Sequence, residues 1–551
     1  MKYVDVLSLF DGNPAHIAFL ATYQFDPDFF ERRLLRCSTL QKARRIVVFV
    51  DRSEWLALLR RDTPARYVNR RYLVVPVRRS TGHFHPKLVL QLSESGGRLL
   101  CGSNNLTRAG CSSNLELLNA VCFEFDGKHD AEIDVAKEAF SFFEQAVRHT
   151  DGEIARIVND WLQETVHAFP WLRQPVAQGP RAMQLLHTYD ATMWQQITQL
   201  FATDSPNDFF IISPFHDVDA ELFRRFTRTW PDAKIEVLAQ QGYTTLPVEA
   251  VKRLPNVRLS EILETSRRLH AKLIAWRHRT GEGCLIGSAN FTCAAFDGHN
   301  VETCLLLTKG AGMVDGLFDK ELQKRPIAFK DFEPGVREPP PTEDPNALRL
   351  NIESAILADA DKIRVTYSHN MKESGSLALA IRTPGERHPR VSVPLRGKSN
   401  VSETVSLPKN ALTDATGALL ANLLAEVDGE SIEGPLVWVI EETRLTFEPG
   451  EGGGTVKKRV EETGEGLHEL LDEIGNRDGI PGVIEFLQHF NLRFFDGDSN
   501  DGVGRRFHIT IRDPYQADVA PDWLKGSPDK TADLELAVLE FRKNSLIPLV
   551  R

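Results

Sequence analysis

Apolar and polar positions along the first third of the chain follow a pattern that returns in the second. Residues 15–34, AHIAFLATYQFDPDFFERRL, read as an apolar strand, a turn around Phe25 and a helix-like stretch. Residues 207–226, NDFFIISPFHDVDAELFRRF, repeat that order with the turn at Phe215. Each is followed by a second apolar strand, RRIVVFV at 44–50 and AKIEVLA at 233–239. Strand, helix and strand repeated in this way predict α/β sheets with parallel or mixed strands. Between the copies, residues 130–170 predict helices. The run EPGVREPPPTEDP at 333–345 predicts a boundary. Short alternating runs over 346–446 (KIRVTYSH, SLALAI, RVSVPL) predict a small β-sandwich. PGEGGGTVKKRVEETGEG at 449–466 reads as a linker, and 467–551 as a terminal α/β segment.

The duplication is sharpest in one motif. Residues 81–118 contain H-x-K, an apolar run, a turn-rich gap, a second apolar run, G-S-x-N and then N-x-E, and residues 266–304 contain the same series. His85 to Asn105 is 20 residues, and so is His270 to Asn290. The later glutamates follow at 11 (Glu116) and 12 (Glu302). The expected organisation is therefore a first half over 1–180, a second half over 181–335, a β-sandwich-like domain over 345–447 and the terminal segment over 467–551.

These residue types suit phosphate chemistry. Alternation along a strand places His85 with Lys87, and His270 with Lys272, on one face. A lysine, a hydroxyl (Ser103, Ser288) and a carboxamide (Asn105, Asn290) offer a fixed cation and directed donors to a phosphate's oxygens. A histidine beside them can attack phosphorus or move a proton. Glu116 or Glu302 could orient an imidazole through its other nitrogen. His83, two residues before His85, reads as a strand-edge residue, and Asp217, after His216, as a helix cap.

Composition changes the picture at two points. The seven cysteines form no C-x-x-C pair, which argues against a disulfide framework or zinc ribbon and leaves them as small buried residues. The chain's formal charge of −10 argues at first against a nucleic-acid partner. Yet residues 31–90 hold fifteen Lys and Arg against four Asp and Glu, a balance of +11 that leaves −21 elsewhere. Arg66, Arg70, Arg71, Arg78 and Arg79 in this block, and Arg267 and Arg268 before the second motif, are candidate phosphate-backbone contacts. Tyr67 and Tyr72, interleaved with arginines, are candidates for base stacking. No apolar stretch reaches membrane-spanning length, and Asp5 and Asp11 interrupt the core a signal peptide needs, so a cytoplasmic location is expected.

The paired H-x-K and G-S-x-N motifs resemble the phospholipase D superfamily. Leu92 and Arg277 stand where its lipid-hydrolysing members have Asp, so the pattern is similar to the His-Lys-Asn variants: bacterial metal-independent endonucleases and tyrosyl-DNA phosphodiesterase. The resemblance implies two α/β/α halves meeting across a pseudo-two-fold axis at one cleft. It implies a DNA nuclease, with DNA favoured over RNA, that works through a covalent phosphohistidine and needs no metal or cofactor. The resemblance alone also implies service in a restriction or antiviral system beside an ATPase or helicase partner; the chain itself shows no G-x-x-x-x-G-K-[ST]. The competing readings are a tyrosyl-DNA phosphodiesterase-like repair enzyme, a lipid phosphodiesterase and a nucleic-acid-binding scaffold. Oligomerisation through the C-terminal region stays open.

Overall fold

The computed structural model describes residues 5–445, short stretches within that span excepted, so the segment expected over 467–551 lies outside the described residues. The first repeat forms β1 (Ile17–Thr22), β2 (Arg45–Asp51), β3 (Leu73–Val77), β4 (Leu88–Ser93), β5 (Gly96–Gly102), β6 (Asn114–Leu115) and β7 (Leu118–Glu124). The second contains β8 (Met183–His187), β9 (Asp208–Ile212), β10 (Lys234–Ala239), β11 (Val257–Ile262), β12 (Arg268–Leu269), β13 (Leu273–His278), β14 (Gly281–Gly287), β15 (Thr303–Lys309) and β16 (Lys324–Pro326).

The protein is mixed α/β with several sheets. One sheet has the order β3-β2-β1-β4-β5-β7; the other runs β16-β11-β10-β9-β13-β14-β15-β8. Six strands of the second repeat the first in order and sense. In both, three neighbouring strands are parallel (β1, β2 and β3; β9, β10 and β11) and the next three antiparallel. β1 and β2 are buried along their whole length, which is why IAFLAT and IVVFV read as unbroken apolar runs and not as alternation.

Helices cover these faces. Asp130–Val147 is amphipathic, and Phe140 and Phe143 on its buried side meet Phe19 of β1, with ring centroids 6.0 and 5.3 Å apart. In the second repeat Phe209, Phe226, Trp230 and Trp276 share one core with the helical residues Met193 and Ile197. Such rings bury large apolar areas and stiffen the frame behind the site.

The chain divides into two compact units. Residues 1–30, 45–61 and 73–347 make the first, which therefore holds the strands of both repeats; residues 31–44, 62–72 and, as far as they are described, those from 350 to 445 make the second. Within the second unit, Lys362–His369 pairs with Leu350–Asp359 and Val401–Ser406, and Ser376–Arg382 pairs with Val391–Pro394 and Leu420–Val427, all antiparallel. Ile363, Val365 and Tyr367 from the first of these sheets and Leu379, Ile381 and Leu423 from the other fill a single core.

Candidate active site

β4 runs antiparallel to β1, so its first residues lie at the carboxyl ends of β1, β2 and β3, the edge where α/β sheets usually bind ligands. β13 stands in the same relation to β9. His85 and Lys87 immediately precede β4; His270 and Lys272 precede β13. The G-S-x-N turns follow β5 and β14, bringing Ser103 and Asn105 to the first edge and Ser288 and Asn290 to the second.

The glycine of each G-S-x-N has a steric reason. A Cβ on Gly102 would sit 2.5 Å from the Leu117 carbonyl oxygen, and one on Gly287 2.2 Å from that of Thr303. Gly102→Ala or Gly287→Ala should therefore displace the strand carrying the glutamate and cost about 1–3 kcal/mol, read as a shift of the urea midpoint at unchanged slope.

The decisive arrangement is an exchange between repeats. Phe84 forms a parallel bridge with Val301, and His85 N–H donates to the Val301 carbonyl at 2.9 Å. β12 pairs in parallel with β6, and His270 N–H donates to the Leu115 carbonyl at 3.0 Å. Each histidine segment is thus hydrogen-bonded to the segment carrying the other repeat's glutamate. His85 Nδ1 lies 3.0 Å from Glu302 Oε2, and His270 Nδ1 lies 2.8 Å from Glu116 Oε1. The glutamates are held in turn by their own repeats. Ser103 Oγ donates to Glu116 at 2.5 Å and Asn114 Nδ2 at 3.1 Å; Ser288 Oγ donates to Glu302, and Asn300 Nδ2 does so at 3.2 Å.

This corrects the expected phosphate-binding role of Ser103 and Ser288. Each hydroxyl gives its one proton to a glutamate and accepts from a backbone N–H, of Leu117 and of Thr303 respectively. They position the carboxylates.

With its Nδ1–H given to a carboxylate, each imidazole leaves Nε2 with a free lone pair. Burial, then the nearby Lys87, pulls His85 well below its ordinary 6.5, and burial with Lys272 pulls His270 down to about 4. Both rings are therefore neutral at pH 7. Burial, then Lys272, draws the Lys87 ammonium well below its usual value, and burial brings Lys272 to about 8. The carboxylates differ. Burial lifts Glu302 to about 7. Glu116 is raised by burial but lowered more by the hydrogen bond and charge of His270, and it ends below 4.5. A phosphodiester entering beside the lysines would raise the histidine and lysine pKa values together, since its negative charge favours their protonated forms.

Lys87 Nζ donates to the His85 carbonyl at 2.9 Å and Lys272 Nζ to that of His270 at 2.5 Å, which folds each ammonium back beside its histidine. Asn105 Oδ1 accepts from Gln24 N–H at 3.3 Å and from Thr22 Oγ1 at 3.4 Å, leaving its amide N–H groups for another acceptor. Asn290 Oδ1 is buried with no partner among the described residues. Tyr23, absent from the sequence reading, packs its ring 4.9 Å from His85 and 5.6 Å from Lys87 Nζ. Its position in the loop after β1, at the ligand-binding edge, is the signal that could have singled it out. Asp217, expected as a helix N-cap, lies before Ala220, which holds that position, and accepts from the Leu222 and Cys293 N–H groups.

The expected arginine surface requires correction. Arg70 is buried against Glu441 at 2.8 Å. Arg71 donates to the carbonyls of Leu40, Gln41 and Ala43. Tyr67 N–H and Tyr72 Oη, expected near bases, both donate to Glu31 Oε1 and are buried. A run of positive charge along the sequence here knits the second unit internally. Arg79 donates to the carbonyls of Gly298 and His299, the Arg267 carbonyl accepts from Gln240 Nε2, and Arg66 lies outside the described residues. Arg78 and Arg268 are exposed. No disulfide joins the cysteines among the described residues; Cys101, Cys284 and Cys304 are buried and Cys122 is exposed. No described helix is long and apolar enough to cross a membrane.

No family model matches the chain, and no curated protein does. Among solved structures, a polyphosphate kinase from Porphyromonas gingivalis is similar at 13% identity and a TM-score of 0.31, over 54% of this chain and 44% of that one. The resemblance to His-Lys-Asn endonucleases and tyrosyl-DNA phosphodiesterase is corrected at this point: the solved structure found similar is a polyphosphate kinase.

Proposed function

We propose that this protein hydrolyses phosphodiesters without a metal, with a nucleic-acid strand as substrate, and that the two repeats are copies of one fold facing each other across a two-fold relation. The observation that carries the reading is the reciprocal His–Glu exchange, flanked by two buried lysines. A single imidazole with a carboxylate is a common structural pair. Two of them built reciprocally, both neutral and each beside a lysine, supply a nucleophile and a proton carrier for the two faces of one phosphate.

His85 is the nucleophile in this scheme. Its Nε2 lone pair forms a bond to phosphorus while the bond from phosphorus to the leaving oxygen breaks, and His270, protonated on Nε2 once the charge of the bound phosphodiester has raised its pKa, delivers that proton to the leaving oxygen. His270, now neutral, takes a proton from water; the hydroxide attacks phosphorus, the P–N bond breaks and His85 is restored. The side chain of His270 is the more exposed, 19% against 10%, which suits the residue that must reach both leaving group and water. Lys87, Lys272, Asn105 and Asn290 stabilise charge on the equatorial oxygens. The lysines supply the positive charge that Mg²⁺ supplies elsewhere.

The test is hydrolysis of bis(p-nitrophenyl) phosphate and of 5′-labelled DNA and RNA oligonucleotides in excess EDTA. Cleavage of the small diester and of an oligonucleotide is the expected result. Activity appearing only with added divalent metal, or cleavage of the small diester with DNA and RNA both intact, would overturn the reading in its first or its second part.

A further inference from the structure

The two sides of the site are not equivalent, and the difference points to a subsite. Aligning R-L-H-A-K at 268–272 with H-F-H-P-K at 83–87 sets Arg268 where the first repeat has His83. Arg268 is exposed, Leu269 buried and His270 again partly open, so Arg268 and His270 share a side of β12 and its extension. Two residues along a strand span about 6.6 Å. That distance is comparable to the separation of successive phosphates along a polynucleotide.

The Arg268 side chain has no hydrogen-bond or ion-pair partner among the described residues, unlike those of Arg70, Arg71 and Arg79. Its guanidinium instead lies 5.8 Å from the ring centroid of Tyr243, which is 43% exposed. That pair is held by the frame. Buried Gln240, at the end of β10, donates to the Arg267 carbonyl at 2.8 Å and accepts from Leu269 N–H at 2.6 Å, tying the Tyr243 loop to β12. The loop turns through Gly242 at φ 71°, whose N–H donates to the Glu333 carbonyl. On the opposite side, His83 is occupied by the Tyr23 ring at 5.3 Å and by Asp51 at 3.9 Å.

We infer that Arg268 and Tyr243 form a binding subsite for the nucleotide adjoining the scissile bond on the His270 side, with Arg268 on the neighbouring phosphate and Tyr243 stacked on the base. This rests on the phosphodiesterase reading and adds to it. The substrate must extend at least one phosphate beyond the reacting one, and the strand enters in one direction. Arginine and an exposed aromatic ring are the pair that single-stranded nucleic acid engages, through charge and through stacking.

The experiment compares kcat/KM for a DNA oligonucleotide with that for bis(p-nitrophenyl) phosphate, which has no flanking phosphate or base. Arg268→Ala and Tyr243→Ala should each lower the ratio of the two by roughly ten- to hundredfold, while Tyr243→Phe, which keeps the ring, holds it. A ratio that does not move in either alanine variant overturns the subsite. Should the intact enzyme cleave neither substrate, the phosphodiesterase reading falls, and the subsite is judged by anisotropy of a fluorescent oligonucleotide: equal affinity for the intact protein and for Arg268→Ala would dismiss it as well.

Discussion

Replacing either His85 or His270 with alanine lowers oligonucleotide cleavage by on the order of 10⁴-fold or more, and the double variant is little worse than the singles. Non-additivity follows because both steps of the reaction need both rings. The two variants then separate when the leaving group changes. A p-nitrophenolate departs without a proton, so His270→Ala keeps the first step on bis(p-nitrophenyl) phosphate, whereas His85→Ala has no nucleophile and loses it. Steady-state and burst kinetics of the two variants on the two substrates check this. Equal losses for both variants on both substrates would contradict the assignment of roles.

Glu302→Gln and Glu116→Gln should change stability with opposite dependence on pH. Burial raises the Glu302 carboxyl from 4.5 to about 7 in the folded state. A group raised on folding contributes stability that is full below its unfolded pKa and is lost as pH rises through the folded one. Glutamine lacks that loss, so the stability of Glu302→Gln relative to the native protein climbs between pH 4.5 and 7, by about 3 kcal/mol, and is flat above. Glu116 is the reverse. Its carboxyl is held below 4.5, so its contribution is present above that pH and is lost as pH falls. Glu116→Gln therefore loses relative stability as pH rises into the neutral range. Urea unfolding over pH 4–8 reads both slopes, and slopes of the same sign would count against the buried asymmetry. Both variants lower activity, on the order of 10²–10⁴-fold, because an amide orients the imidazole without stabilising its charged form.

Much of this site was legible in the sequence because its chemistry sits in short local motifs. H-x-K at a strand start and G-S-x-N at a strand end are fixed by strand geometry, and the matching 20-residue spacing reflects two antiparallel strands of similar length between them. The choice of partner was not legible. Nothing in N-x-E tells whether Glu116 faces His85 or His270, since that depends on the short parallel pairing of Arg268–Leu269 with Asn114–Leu115, two residues long and more than 150 residues apart. Ser103 and Ser288 are a separate case: their acceptors are the glutamates of their own repeats, and nothing in G-S-x-N marks the hydroxyl as spent on a carboxylate that follows the motif. The basic block misled through burial. Sequence charge does not distinguish Arg70, paired with Glu441 from far along the chain, from Arg268, which is exposed beside Tyr243.

A direct measurement is available in His270→Ala. Given the p-nitrophenyl ester of thymidine 5′-phosphate in excess EDTA, this variant should release one p-nitrophenolate per protein molecule in a burst and then stall, with the nucleotidyl group recovered by mass spectrometry on His85 as an acid-labile, alkali-stable adduct. Sustained turnover without an adduct, or an adduct on any residue other than His85, would contradict the account.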